Sequence, residues 1–111
     1  MSMELNPPFR VFIAGRTGSG KSYLAGWLAE QLYRAKQRWV ILDYQSKNHI
    51  GLTQLKGVKL VRVHPSAQYQ WLRLLKYPHV VIAPTRHTTR EHLIEQYEQV
   101  LRTLFDYDKN R

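Results

Sequence analysis

Four apolar runs of strand length punctuate the chain: Arg10-Val11-Phe12-Ile13-Ala14, Trp39-Val40-Ile41-Leu42-Asp43, Val58 to Val63, and His79-Val80-Val81-Ile82-Ala83. The second is continuously apolar and ends in an acid, the pattern of a strand covered on both faces. The third alternates less cleanly and stops at Pro65. Between the first two runs, Leu24, Leu28 and Leu32 recur at helical spacing with Trp27 and Ala35 beside them. That spacing predicts a helix from about Gly20 to Lys36 with its tryptophan on the apolar face. Ser66 is placed to cap a short helix carrying Ala67, Trp71, Leu74 and Leu75, which Pro78 ends. Thr88-Thr89-Arg90-Glu91 has the spacing of a capping box with Thr88 as the cap. The helix it opens has a face of Leu93, Tyr97, Val100 or Leu101, and Leu104. Tyr44 to Gly51 is polar and reads as loop, and Pro7-Pro8 makes residues 1–9 an extended lead-in to one domain over 10–111. Strands alternating with helices predict an α/β three-layer sandwich on a mostly parallel sheet, with any ligand at the carboxyl ends of the strands.

The stretch between the first strand and the first helix carries the chemistry. It reads Gly15-Arg16-Thr17-Gly18-Ser19-Gly20-Lys21-Ser22, the spacing of a phosphate-binding P-loop (Walker A). By chance the bare pattern would occur in roughly one in a few hundred chains of this length; strand before and helix after are the context that gives it meaning. A phosphate chain needs backbone N–H groups turned inward at close range, which glycine permits because it lacks a Cβ. Gly15 lets the chain leave the strand, and Thr17, Gly18, Ser19 and Gly20 form the rim. Lys21 supplies a point charge to the β- and γ-phosphates, and the Ser22 hydroxyl is placed for Mg²⁺. The helix N-terminus adds partial positive charge toward the same anion. ATP with Mg²⁺ is the expected ligand.

Composition narrows the setting. The 111 residues suffice for one domain, and 43% hydrophobic content fills a modest core. With no cysteine, neither a disulfide framework nor a thiolate zinc site can form, which fits a cytoplasmic protein. No apolar run reaches membrane-spanning length. Seventeen Lys and Arg against eight Asp and Glu give a net charge of +9, an excess that suits a polyanionic partner such as nucleic acid. Arg34, Lys36 and Arg38 cluster where the first helix ends, and complementing its dipole accounts for them.

With Ala14 to Ser22 followed one helix later by Val40-Ile41-Leu42-Asp43, the sequence resembles the HerA–FtsK group of P-loop ATPases, which includes DNA-pumping motors and viral genome-packaging ATPases. The resemblance is carried by residues 9–47. It implies a second strand ending in Asp, here Asp43, with a lysine a few residues on, here Lys47. It further implies DNA as partner and homo-oligomeric assembly. Members also carry a later strand ending Asp-Glu, which positions Mg²⁺ and the attacking water; no apolar run followed by Asp-Glu occurs in this sequence. Asp43 is a candidate for that catalytic acid. Its place directly after the first helix, with Tyr44 as neighbour instead of a second acid, assigns it instead the second-strand role, reaching Mg²⁺ through water. The resemblance thus implies either the N-terminal portion of a longer ATPase or a product that lost its remainder, its sheet incomplete and its isolated activity low.

Other residues receive the blander reading. His64, His79, His87 and His92 lack metal-ligand spacing on a common helix face and read as surface or packing residues. Trp27, Trp39 and Trp71 read as core. Arg86 and Arg90 follow the fourth strand and so lie near the ligand edge in chain order. Together with Arg102 they keep open a small-molecule kinase, whose arginines would cover the phosphates. A non-catalytic nucleotide-binding assembly module is the third reading, favoured by the missing Asp-Glu. The Asn-Lys-x-Asp signature of a GTPase does not occur.

Overall fold

The computed structural model describes residues 10–14, 21–44 and 50–109. Its strands are β1 (Arg10–Ala14), β2 (Trp39–Asp43), β3 (Val58–Val63) and β4 (His79–Pro84), and its helices α1 (Lys21–Arg34), α2 (Trp71–Leu74) and α3 (Arg90–Lys109). The strands form a single open sheet in the order β1-β2-β4-β3, with every neighbouring pair parallel. Each of the four predicted runs is a strand, and β4 is one residue longer than its apolar run, taking in Pro84.

Side-chain alternation along these strands builds two cores, one per face. Trp39, Ile41 and Val81 point to the face covered by α1 and pack with Ala29, Phe12, Leu32, Tyr33, Val58 and Leu60. Val40, Leu42, Val80 and Ile82 point to the other, where α2 and α3 contribute Trp71, Leu93, Tyr97, Val100 and Leu104. The result is the expected three-layer sandwich. Helices on both faces explain why every residue of β2 and β4 is buried, whereas β3, at an edge, is only half-buried along most of its length.

The structure departs from the sequence expectations at particular residues. Trp27 is 50% exposed, because α1 meets the sheet through Ala29, Leu32 and Tyr33 and leaves Trp27 to one side. Ser66 caps no helix. It takes a left-handed φ of 62° in the turn after β3, and α2 starts only at Trp71, with Gln70 before it making no side-chain cap. The cap of α3 lies one residue later than expected: Thr89 Oγ1 accepts the His92 N–H at 3.1 Å. Thr88 is otherwise engaged, donating to the Val63 carbonyl and accepting the Thr85 N–H at 3.1 Å. At the end of the stretch read as loop and running past it, Ile50–Gln54 forms a 3-10 helix, and Leu52 packs against the core under α1.

A parallel sheet has two unlike edges. Arg10, Trp39, His79 and Val58 stand in register at the amino edge. Ala14 pairs with Asp43, and Pro84 with Val63, at the carboxyl edge.

Candidate functional site

The carboxyl edge is where the glycine-rich stretch begins. It leaves β1 after Ala14 and re-enters regular structure at Lys21, the first residue of α1. Gly15, Thr17, Gly18, Ser19 and Gly20 lie outside the described residues. So do the side chains of Lys21 and Ser22, whose backbone makes the first turn of the helix. Lys47 is likewise outside them. What is described is the frame: a strand pointing at the stretch, a helix starting from it, and a neighbouring strand that ends in an acid.

That acid is Asp43. It is fully buried and pairs in register with Ala14, the residue immediately before the glycine stretch. Its backbone is held from across the sheet. The Tyr97 hydroxyl reaches the Asp43 carbonyl oxygen and also the Ile82 carbonyl, at 2.9 Å. One phenol from α3 thus spans the tips of the two central strands. Burial pushes the Tyr97 phenol far above its usual range, and the charge of Asp43 and the neighbouring Tyr44 act in the same direction, against the opposing hydrogen bond to Asp43. The hydroxyl therefore stays a donor at every physiological pH. Tyr44, next after Asp43, meets the Tyr97 ring edge-on with centroids 5.1 Å apart.

The next strand tip is fixed as firmly. Arg62 Nη1 donates to the Pro84 carbonyl at 2.8 Å. Thr85 and Thr88 bond to each other through their hydroxyls at 2.8 Å, and Thr88 ties both to the end of β3. Arg86 and Arg90 are exposed just beyond, on the loop and first turn leaving this edge. Arg102 does not join them. Twelve residues further along α3, it stands about 18 Å away along the helix axis and is exposed. The three arginines do not form one cluster over a phosphate.

The remaining candidates part company. His79 is buried at the amino edge, between the rings of Tyr33 and Trp39 at 5.0 Å each, and packs as expected. His92 contacts the Ala67 carbonyl at 3.1 Å, whereas His64 and His87 are exposed. Among the described residues no group of three His, Cys, Asp or Glu could hold a metal. Tyr97 is the residue that sequence reasoning treated only as core. A tyrosine in a stripe of Leu93, Val100 and Leu104 was the available signal, since a buried phenol needs a partner. Gln96, fully buried and accepting from Trp71 Nε1 at 2.9 Å, gave no such signal.

Of the candidate donors, the structure describes the buried Asp43 carboxylate on the strand tip beside the end of β1, a group whose chemistry suits a divalent cation. A family model described as Helicase HerA, central domain, matches residues 10–108. No curated protein and no solved structure matches the chain.

Proposed function

The chain belongs to the HerA helicase central-domain family of P-loop ATPases, and from that premise we propose that it is the ATP-binding part of a nucleic-acid-translocating or genome-packaging motor. The observation that carries the reading is the pairing of Ala14 with the buried Asp43. It sets a carboxylate beside the point where the glycine stretch departs and α1 begins.

In this reading the backbone N–H groups of Gly15, Thr17, Gly18, Ser19 and Gly20 hold the phosphates, and the α1 dipole adds to their pull. Lys21 neutralises the β- and γ-phosphate oxygens, and Ser22 offers its hydroxyl to Mg²⁺. Mg²⁺, when bound, would supply charge neutralisation to the phosphates. Asp43 would accept a hydrogen bond from a metal-bound water or from Ser22, and Tyr97 holds its backbone through the Asp43 carbonyl. Nucleic acid and further copies of the chain are the partners of such a motor.

Alignment of an attacking water is the part these residues do not supply. Beyond β4 the chain reads Thr85-Arg86-His87, without an acid, and Glu91, Glu95 and Glu98 on α3 are exposed. Hydrolysis then depends on an acid pair that these 111 residues do not contain, and its lack commonly costs orders of magnitude in rate. Phosphate release under multiple-turnover conditions tests this. The 111-residue chain is expected to release phosphate near the buffer rate in the presence of Mg-ATP. Robust turnover that Lys21→Ala abolishes would return Asp43 to the role of catalytic acid.

A further inference from the structure

The amino edge of the sheet, opposite the phosphate-binding stretch, is built as a surface. Three connections arrive there: 35–38 from α1 to β2, 55–57 into β3, and 75–78 from α2 to β4. They read Ala-Lys-Gln-Arg, Leu-Lys-Gly and Leu-Lys-Tyr-Pro, with four basic residues and no acid. Arg10, Lys59 and Arg73 flank them. The connections are tied to one another by side chains. The Tyr33 hydroxyl donates to the Lys56 carbonyl at 2.7 Å, His79 Nε2 contacts the Gln37 carbonyl at 2.8 Å, and Arg38 Nη2 donates to the Lys76 carbonyl at 2.9 Å. Tyr33, His79 and Arg38 thus spend their polar groups inward on backbone, while Lys36, Lys56 and Lys76 are left exposed.

Two further features belong to this edge. Lys36 ends α1 in the left-handed region, φ 60°, with Lys36 N–H bonded to Tyr33 and Gln37 N–H to Leu32, the arrangement in which glycine is usual. A lysine there keeps a charge where the backbone would favour no side chain. On the 75–78 connection, Tyr77 is 45% exposed, with Lys59 Nζ 5.4 Å from its ring centroid. Tyr77 lines an open cleft of about 560 Å³ together with Arg73, Leu74, Lys76 and Pro78. The cleft joins an aromatic ring and an apolar wall to two cations.

We infer that this edge binds single-stranded nucleic acid, with phosphates along Lys36, Lys56 and Lys76 and an unpaired base against Tyr77 in the cleft. Exposed cations along one edge hold a phosphate backbone without reading sequence, and an exposed ring accepts any base by stacking. A duplex keeps its bases inside and cannot use the ring. The surface is separate from the nucleotide site, which lies across the sheet, so the two can fail independently.

Fluorescence anisotropy with a labelled oligothymidylate tests the assignment on the 111-residue chain, with thermal melts confirming that each variant is folded. The parent should bind, and bind more weakly as salt rises. Lys56→Glu combined with Lys76→Glu should weaken binding at least about tenfold, and Tyr77→Ala by roughly tenfold for the single strand but little for a duplex of equal length. Lys21→Ala should leave this binding unchanged. Lys36→Gly is the sharpest variant: it should melt higher, through relief at positive φ, and yet bind the oligonucleotide less tightly. Absence of binding by the parent, parent-like affinity in the double variant, or an equal effect of Tyr77→Ala on single strand and duplex would each overturn the inference.

Discussion

Two buried side chains each hold the ends of strands. Tyr97 serves the carboxyl edge with one hydroxyl placed between two buried carbonyls, those of Asp43 and Ile82. Tyr97→Phe removes the donor and leaves both acceptors away from water, a loss expected to cost about 1–3 kcal/mol in urea unfolding; parent-like stability would mean the phenol does not brace the strand tips. His79 serves the amino edge. The Gln37 carbonyl only accepts, so the ring proton sits on Nε2. Burial lowers the imidazole's affinity for a second proton, the Gln37 hydrogen bond opposes that, and the charge of Arg38 reinforces it. The folded state therefore resists protonation that the unfolded chain accepts near pH 6.5. The stability that neutral His79 contributes is complete above that pH and is lost as pH falls toward the lowered folded value. Melting temperatures between pH 7 and 5 should fall more steeply for the parent than for His79→Phe, and parallel slopes would contradict this.

Among the elements, the strands were legible because β2 and β4 are nearly unbroken apolar runs and β3, though interrupted by Lys59 and Arg62, keeps the short span and alternation of an edge strand; the burial of β2 on both faces followed from its lack of alternation. The helix ends were less legible. Thr88 and Thr89 are adjacent and chemically alike, so spacing to Glu91 favoured Thr88; the structure uses Thr89 because Val63 and Thr85 claim the Thr88 hydroxyl. Contacts made 25 residues apart in sequence are invisible to a local pattern. Thr89→Ala should cost about 0.5–2 kcal/mol, the loss of one helix cap, in the same unfolding measurement, and no cost would return the cap to Thr88. Trp27 was misplaced for a related reason. The leucine spacing gave the period of α1 but not which side of the stripe the sheet would take, and Ala29 and Tyr33 proved to be on it. At the candidate site the glycine motif could be read as a pattern, but Gly15 to Gly20 lie outside the described residues; the place of Asp43 on the strand beside Ala14 was legible from the apolar run that it ends. The brace from Tyr97 was not, because it joins residues 54 apart.

At the scale of the molecule, four parallel strands divide the work between two edges. The carboxyl edge holds the end of β1, the Asp43 tip and the Tyr97 brace; the amino edge gathers cations on three cross-tied connections. In the proposed reading the net charge of +9 serves two anions of different chemistry, a compact nucleotide at one edge and an extended polyanion at the other. The family supports the first use for the chain as a whole, and the geometry supports the second for one surface of it. The most direct test of the account is equilibrium binding of Mg-ATP, followed by thermal unfolding of the parent and of Lys21→Ala. A ligand at about a hundred times its Kd adds about 2.7 kcal/mol to the folded state, which for a domain of this size raises Tm by roughly 10 °C. The account predicts that shift in the parent and its near-complete loss in Lys21→Ala, whose Tm without nucleotide should match the parent's. An equal shift in both proteins, or none in the parent, would contradict it.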